Sequence, residues 1–174
     1  IPKVKNSNRV NTPIDAFILS QQESIGIKPS SSANPDILNR RMSLVMLGLP
    51  PGRENWDTEK LLNHPAYGER WSRHWLDVAR WAEGNGHQHN RERPNAWRYR
   101  DWVVDAFNSG MPYDQFVKTQ IAGDEMEPWS DENLIATGFL AAARYSGNEL
   151  DKRIQRNDIL VDIVNTTGKA FLGL

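Results

Sequence analysis

Half of the arginines in this sequence fall between residues 70 and 100. Arg70, Arg73, Arg80, Arg91, Arg93, Arg98 and Arg100 are seven of 14, and no lysine occurs between Leu61 and Val117. Arginine without lysine points to fixed, forked pairing with carboxylates or an anion, because a guanidinium presents its donors in a rigid plane. Arg73 and Asp77 stand four apart and Asp77 and Arg80 three apart, the spacing of neighbours on one helix face. With Arg70 and Arg100 they are expected to form an ion-pair network bracing two helices, a reading preferred here over an anion site.

Three of the four histidines share that region. His74 sits at the edge of a tryptophan stripe, where a hydrogen-bonded, half-buried imidazole is the plainer expectation. His87 and His89 lie two apart on a polar loop, so both rings can turn to one side, with Glu83 or Asp77 supplying a carboxylate. Such a set suits zinc, iron or copper. Against it, paired loop histidines are more often solvated, and no HExxH helix is present.

Trp81 and Trp97 fall off the helix faces that a core requires. Beside Arg98 they could stack on a sugar ring or a planar cofactor edge, or form the lid of a helical core. Glu83 and Asp101 are the carboxylates to measure for glycoside hydrolysis, which needs them ~5–10 Å apart in an open cleft. Asp124, Glu125, Glu127, Asp131 and Glu132 form an acidic segment without EF-hand spacing, explained in part by helix capping. The sequence has no nucleophile elbow, phosphate-binding glycine loop or dinucleotide fingerprint.

Positioning these groups falls to helices. Thr12, Pro13 and Asp15 mark the first start, followed by Ile14, Phe17, Ile18, Gln21 and Ile25 at helical spacing and by Gly26 as a stop. Asn34-Pro35 opens a second helix, with Ile37, Leu38, Met42 and Val45 as its expected buried stripe before Gly48. Asp57-Thr58 caps a short third. The clearest pattern runs from Tyr67 to Ala82, placing Trp71, Trp75, Val78 and Ala82 on one stripe.

Asn95 opens a helix with Tyr99, Trp102, Val103, Ala106 and Phe107 on one face. The next, Pro112 to Ala122, turns Phe116, Val117 and Ile121 inward. Asp131 caps another, carrying Leu134, Ile135, Phe139 and Leu140. A final helix is expected to pack Leu150, Ile154, Val161 and Val164, with Asp151, Asp158 and Asp162 on its other side. Period-2 runs and internal repeats are absent. The expectation is an all-α, single compact domain of about seven helices over residues 12–174, joined by Pro/Gly-rich connectors, with residues 1–11 as an extended N-terminal segment.

Bulk properties narrow the function classes. With 21 Lys+Arg against 22 Asp+Glu, the net charge of -1 argues against a dedicated nucleic-acid binder. No apolar run approaches the ~18 residues of a membrane span. The lack of cysteine removes disulfides, zinc–thiolate sites, a Cys nucleophile and covalent haem attachment within this chain. The apolar run that closes the sequence, Thr166 to Leu174, either docks on the core or marks a polypeptide that continues.

Several phrases carry a family resemblance. They are Tyr67-Gly68-Glu69-Arg70-Trp71 with His74-Trp75-Leu76-Asp77, then Arg93-Pro94-Asn95-Ala96-Trp97-Arg98-Tyr99-Arg100-Asp101-Trp102. Pro112 to Val117, Gln120 to Asp124, Ala136 to Leu140 and Thr166 to Leu174 complete the set. From about Pro13 to Leu174 the chain resembles the domain of unknown function paired with planctomycete-type cytochrome c domains in large secreted bacterial proteins. In that family a Cys-x-x-Cys-His motif typically follows the Phe-Leu-Gly-Leu run within a few residues. The resemblance therefore implies a periplasmic or secreted fragment of a larger protein, with haem c in a continuation beyond Leu174.

Three readings compete. In the first, the chain is a non-catalytic helical module that shelters or orients that haem, with His74, His87, His89 and then Met126 as candidate axial ligands. The second makes it a carbohydrate-binding or polysaccharide-processing domain built on Trp81, His87, Trp97 and Arg98. In the third it is a scaffold whose partners are the rest of the parent polypeptide or other subunits of an assembly.

Overall fold

The structure, a computed structural model, describes residues 1–52, 57–85, 91–145 and 150–174. Regular structure among them is helical, apart from one isolated antiparallel bridge between Gly84 and Glu92. The all-α expectation holds. The helices are α1 (Pro13–Ser24), α2 (Pro35–Met46), α3 (Thr58–Leu62), α4 (Pro65–Val78), α5 (Ala96–Asn108), α6 (Tyr113–Ala122), α7 (Asp131–Ala136), α8 (Gly138–Ala141) and α9 (Lys152–Thr167). Thr137 separates α7 from α8 where a single helix was expected, and a π-helical turn over Gly168–Leu172 follows α9. None of the described helices is long and apolar enough to cross a membrane.

The chain divides into two compact units, Ile1–Leu38 and Asn39–Leu174, with the division inside α2. In the first unit, the Asp15 carboxylate accepts the backbone N–H of Thr12 at 2.7 Å and of Asn11 at 3.0 Å. The first orphan donors before α1 are thereby satisfied, as the Thr-Pro-x-Asp order predicts. Glu23 reaches back to the N–H groups of Lys5 and Asn6, tying the leading segment to α1. Gly26 ends α1 at a φ of +73°, a left-handed conformation that a glycine adopts without strain.

The second unit holds the main core, Leu76, Ala79, Tyr99, Trp102, Val103, Ala106, Phe116, Ala136 and Phe139, with Trp75 and Phe171 packed against it. A smaller cluster of Leu47, Leu61 and Ala66 lies under Met42 and Tyr67. The α5 face is as predicted, with Tyr99, Trp102, Val103 and Ala106 buried and Phe107 partly so. Helices α4 and α5 meet closely at Gly68, whose N–H donates to Asn108 Oδ1 at 2.8 Å. A Cβ there would lie 2.5 Å from the Val104 carbonyl oxygen.

Several expected faces are corrected. Helix α4 ends at Val78, and Arg80 is left-handed at a φ of 57°, so Ala82 is no part of the stripe and Val78 is exposed. Its buried positions are Ala66, Gly68, Ser72 and Leu76, with Trp71 and Trp75 half-buried beside them. In α2, Ile37, Leu38 and Val45 are exposed while Ser43 is buried, its hydroxyl donating to the Leu49 carbonyl. Gln120 and Thr119 are buried in α6, and Ile121 is not. Ser130, rather than Asp131, caps α7 through its side chain. In α9, Gln155 and Thr166 are buried, and the expected packing face is turned outward, with Leu150 94% and Val164 68% exposed.

Candidate functional site

After α4 the chain reverses into a short hairpin neck. Trp81 follows the left-handed Arg80, and its indole N–H donates to the Ala96 carbonyl at 2.8 Å, fixing the ring against the start of α5. Past it, Gly84 and Glu92 form the antiparallel bridge. Arg93 N–H donates to Glu83 O at 2.7 Å, and Asn85 N–H donates to Arg91 O at 2.9 Å. His87 and His89, the expected metal ligands, lie outside the described residues. Among the described residues no group of three His, Asp or Glu is placed to hold a metal ion.

Arg93 closes this neck. Its Nε donates to Asn85 Oδ1, its Nη2 donates to the Ala143 carbonyl at 2.8 Å, and Nη1 reaches the Ala141 carbonyl at 3.4 Å. A cation at the end of α8 complements the carbonyl-rich helix terminus. Burial, and then the nearby Arg80 cation, pull the Arg93 guanidinium below its usual value. Sequence reasoning placed Arg93 among the clustered arginines but gave it no role at the site. The signal was its place directly before Pro94-Asn95, where a chain entering α5 needs an anchor.

A hollow of about 390 Å³ opens between this neck, the first turn of α5 and the α7–α8 pair. Trp81, Arg93, Arg98, Tyr99, Leu134 and Ile135 are on its walls, so the structure brings two expected ligand residues, Trp81 and Arg98, to one cavity. Trp97 is not on it. That ring is 45% exposed and lies under the Arg98 guanidinium, 5.2 Å from centroid to Cζ.

The carboxylates meet a different fate. Arg100 Nη1 stands 3.2 Å from Glu83, and its Nε donates to Asp101 at 2.8 Å. The same guanidinium lies 5.6 Å from the Trp81 ring. Glu83 and Asp101 are thus joined through one cation, and both stay exposed. His74 is exposed and contacts the Trp71 ring, with centroids 5.6 Å apart.

The expected ladder is corrected. Among the described residues no ion pair joins Asp77 to Arg73 or Arg80, and Arg70 sets its stem beside Gly48. Because the helix stops before Arg80, that side chain leaves the α4 face and pairs with Asp162 of α9. Partial burial works to raise the Asp162 carboxyl. The Arg144 N–H and the Arg80 guanidinium outweigh it and hold the group below its usual value.

Sequence patterns also missed a polar triad of buried Tyr99 and Gln120 with half-buried Trp75. Trp75 Nε1 donates to Gln120 Oε1 at 2.8 Å and to Tyr99 Oη at 3.0 Å. Burial pushes the Tyr99 phenol well above its usual range, which the hydrogen bond from Trp75 only partly offsets.

The sequence model of a protein family described as PSCyt2, a protein of unknown function (DUF1549), matches residues 13–174. No curated protein and no solved structure matches the chain.

Proposed function

This chain belongs to the PSCyt2 (DUF1549) family, and from that premise we propose that it is a non-catalytic helical module of a secreted, c-type cytochrome-like protein. In this reading its work is to seat a haem-bearing segment of the parent polypeptide. One observation carries it. Along α9 and the turn that follows, Ile154, Leu160, Val161, Val164, Leu172 and Leu174 are half exposed or more. The opposite side of α9 is held by the Arg80–Asp162 pair, and Phe171 packs on Trp75 and Phe139 at 5.5 and 5.1 Å between centroids. An anchored helix with a bare apolar flank fits a surface that another element covers.

Haem fits this chain as a neighbour rather than as a covalent guest, since the sequence has no cysteine to form a thioether. The parent protein would lie outside the cytoplasm, where such attachment is made. The polysaccharide-processing reading is less favoured, because Arg100 engages both of its exposed carboxylates, Glu83 and Asp101.

The test is the parent protein, expressed from its gene with haem incorporated. Val161→Glu combined with Val164→Glu should loosen the haem-bearing segment, read as faster proteolysis between the two parts and a shifted Soret band. A gene without a Cys-x-x-Cys-His motif would overturn the proposal, as would a double variant with unchanged spectrum and unchanged proteolysis. His74→Ala, His87→Ala and His89→Ala, read on the same Soret band, report whether this module also supplies an axial ligand.

A further inference from the structure

We propose that the hollow between the hairpin neck, α5 and the α7–α8 pair binds a small organic carboxylate with a flat apolar body, the carboxylate being paired by Arg98. This site stands independently of the haem-module reading, because none of its walls belongs to α9 or to the turn after it.

The space is of the right kind. About 390 Å³ falls within the range of ~300–1,000 Å³ typical of small-molecule sites. It exists because Ala96, Ala141 and Ala142 stand where larger side chains would fill it. The walls are rigid as well. Trp81 is fixed through its indole N–H to Ala96, and Tyr99 is held by the polar triad. Leu134 and Ile135 add an aliphatic side, so a flat apolar body meets aromatic and branched surfaces that need no rearrangement.

Charge selects the head group. Among the described residues the hollow has two ionised side chains on its walls, Arg93 and Arg98, and no carboxylate. Arg93 spends its donors on Asn85, Ala141 and Ala143. Arg98 pairs with no carboxylate among the described residues and rests over the Trp97 ring alone. A forked donor set beside an apolar hollow is what a carboxylate accepts in bidentate fashion. The Arg93 cation, crowded by Arg80, adds positive potential on the same side.

The same inventory disfavours a neutral sugar. Trp81 Nε1 and Tyr99 Oη are already committed to Ala96 and Gln120. A ring of hydroxyls would meet mostly apolar wall, leaving its polar groups without partners.

The experiment is calorimetric titration of the full chain with 2-naphthoate, indole-3-acetate and benzoate, alongside the neutral isostere 2-naphthamide. The expected result is saturable binding of at least one carboxylate, weakened about tenfold or more by Arg98→Gln and by the change to the amide, as loss of the charge-assisted pairing predicts. Ala141→Leu, at an exposed position on the rim, should abolish binding while leaving the thermal melt in place. Equal affinity for naphthoate and naphthamide would overturn the proposal. So would undiminished binding in both variants, or no saturable binding of any of the three carboxylates at millimolar concentration.

Discussion

The Tyr99 hydroxyl donates a 2.6 Å hydrogen bond to the side-chain oxygen of Gln120, and both residues are buried. That oxygen also takes the Trp75 indole N–H, while Gln120 Nε2 donates to the Phe116 carbonyl, so α4, α5 and α6 are joined by one satisfied polar unit. Removing the acceptor strands the buried Tyr99 hydroxyl and leaves the Trp75 indole N–H with Tyr99 Oη as its one partner, which costs more than removing one donor. Gln120→Leu should therefore destabilise the chain by about 2–4 kcal/mol and Tyr99→Phe by about 1 kcal/mol. Urea unfolding of the two variants checks the order. A Gln120→Leu protein as stable as its parent would contradict the triad.

Trp75 itself bears more than that hydrogen bond. Its ring meets Phe116 edge-on at 4.9 Å and stacks with Phe139 at 6.0 Å. Trp75→Ala should cost about 3–5 kcal/mol, combining a cavity with the loss of one indole donor to Gln120 and Tyr99. A thermal melt lowered by less than a couple of degrees would place this ring elsewhere.

Helix type and helix ends were largely legible, because caps and glycine stops act locally. Thr12 with Asp15, Asp57 and the left-handed Gly26 and Gly48 all stand where their chemistry predicts. Faces were harder. Periodicity identifies an apolar stripe but not whether another element covers it, and α9 shows the difference. There Asp162 turns inward because Arg80 and the Arg144 N–H await it, which no local pattern encodes. The site was half legible. Trp81 stood out as an off-face residue with Arg98 named beside it, whereas Arg93 acts through backbone carbonyls about fifty positions away.

Acid should release α9. The Asp162 carboxyl is held below its ordinary value of 3.8, so its pairing stabilises the folded chain above that value and is lost as pH falls through the lowered one. Amide exchange along α9 should therefore accelerate as pH drops below about 4, relative to exchange in α5. In Asp162→Asn this extra pH dependence should vanish, with faster exchange already present at neutral pH. Identical α9 profiles for the two proteins would show that the pair does not hold the helix.

Arg93→Lys tests whether fork geometry, rather than charge, closes the hairpin neck. A lysine keeps the cation at the end of α8 but cannot reach Asn85 and Ala143 at fixed angles together. The expected cost is about 1–2 kcal/mol. The local readout is faster exchange of the Asn85 and Arg93 amides, which the neck protects in the parent. If lysine preserves both amides, the neck is held by its own backbone bonds and the clasp is incidental.

The inverted register of α9 makes opposite predictions for neighbouring positions. Val164 is exposed and Thr166 is buried, two residues along the same helix. Val164→Glu in the isolated chain should change stability by no more than about 0.5 kcal/mol, as surface substitutions usually do. Thr166→Glu places an unpaired carboxylate inside and should cost several kcal/mol. With unfolding near 2–4 °C per kcal/mol for a chain of this size, the second variant should melt roughly 5 °C or more below the first. The face predicted by hydrophobic spacing alone gives the reverse order, because it puts Val164 in the core. Scanning calorimetry of the two proteins decides between the registers. A lower melt for Val164→Glu would mean that the apolar flank of α9 is covered within this chain and not left for a partner.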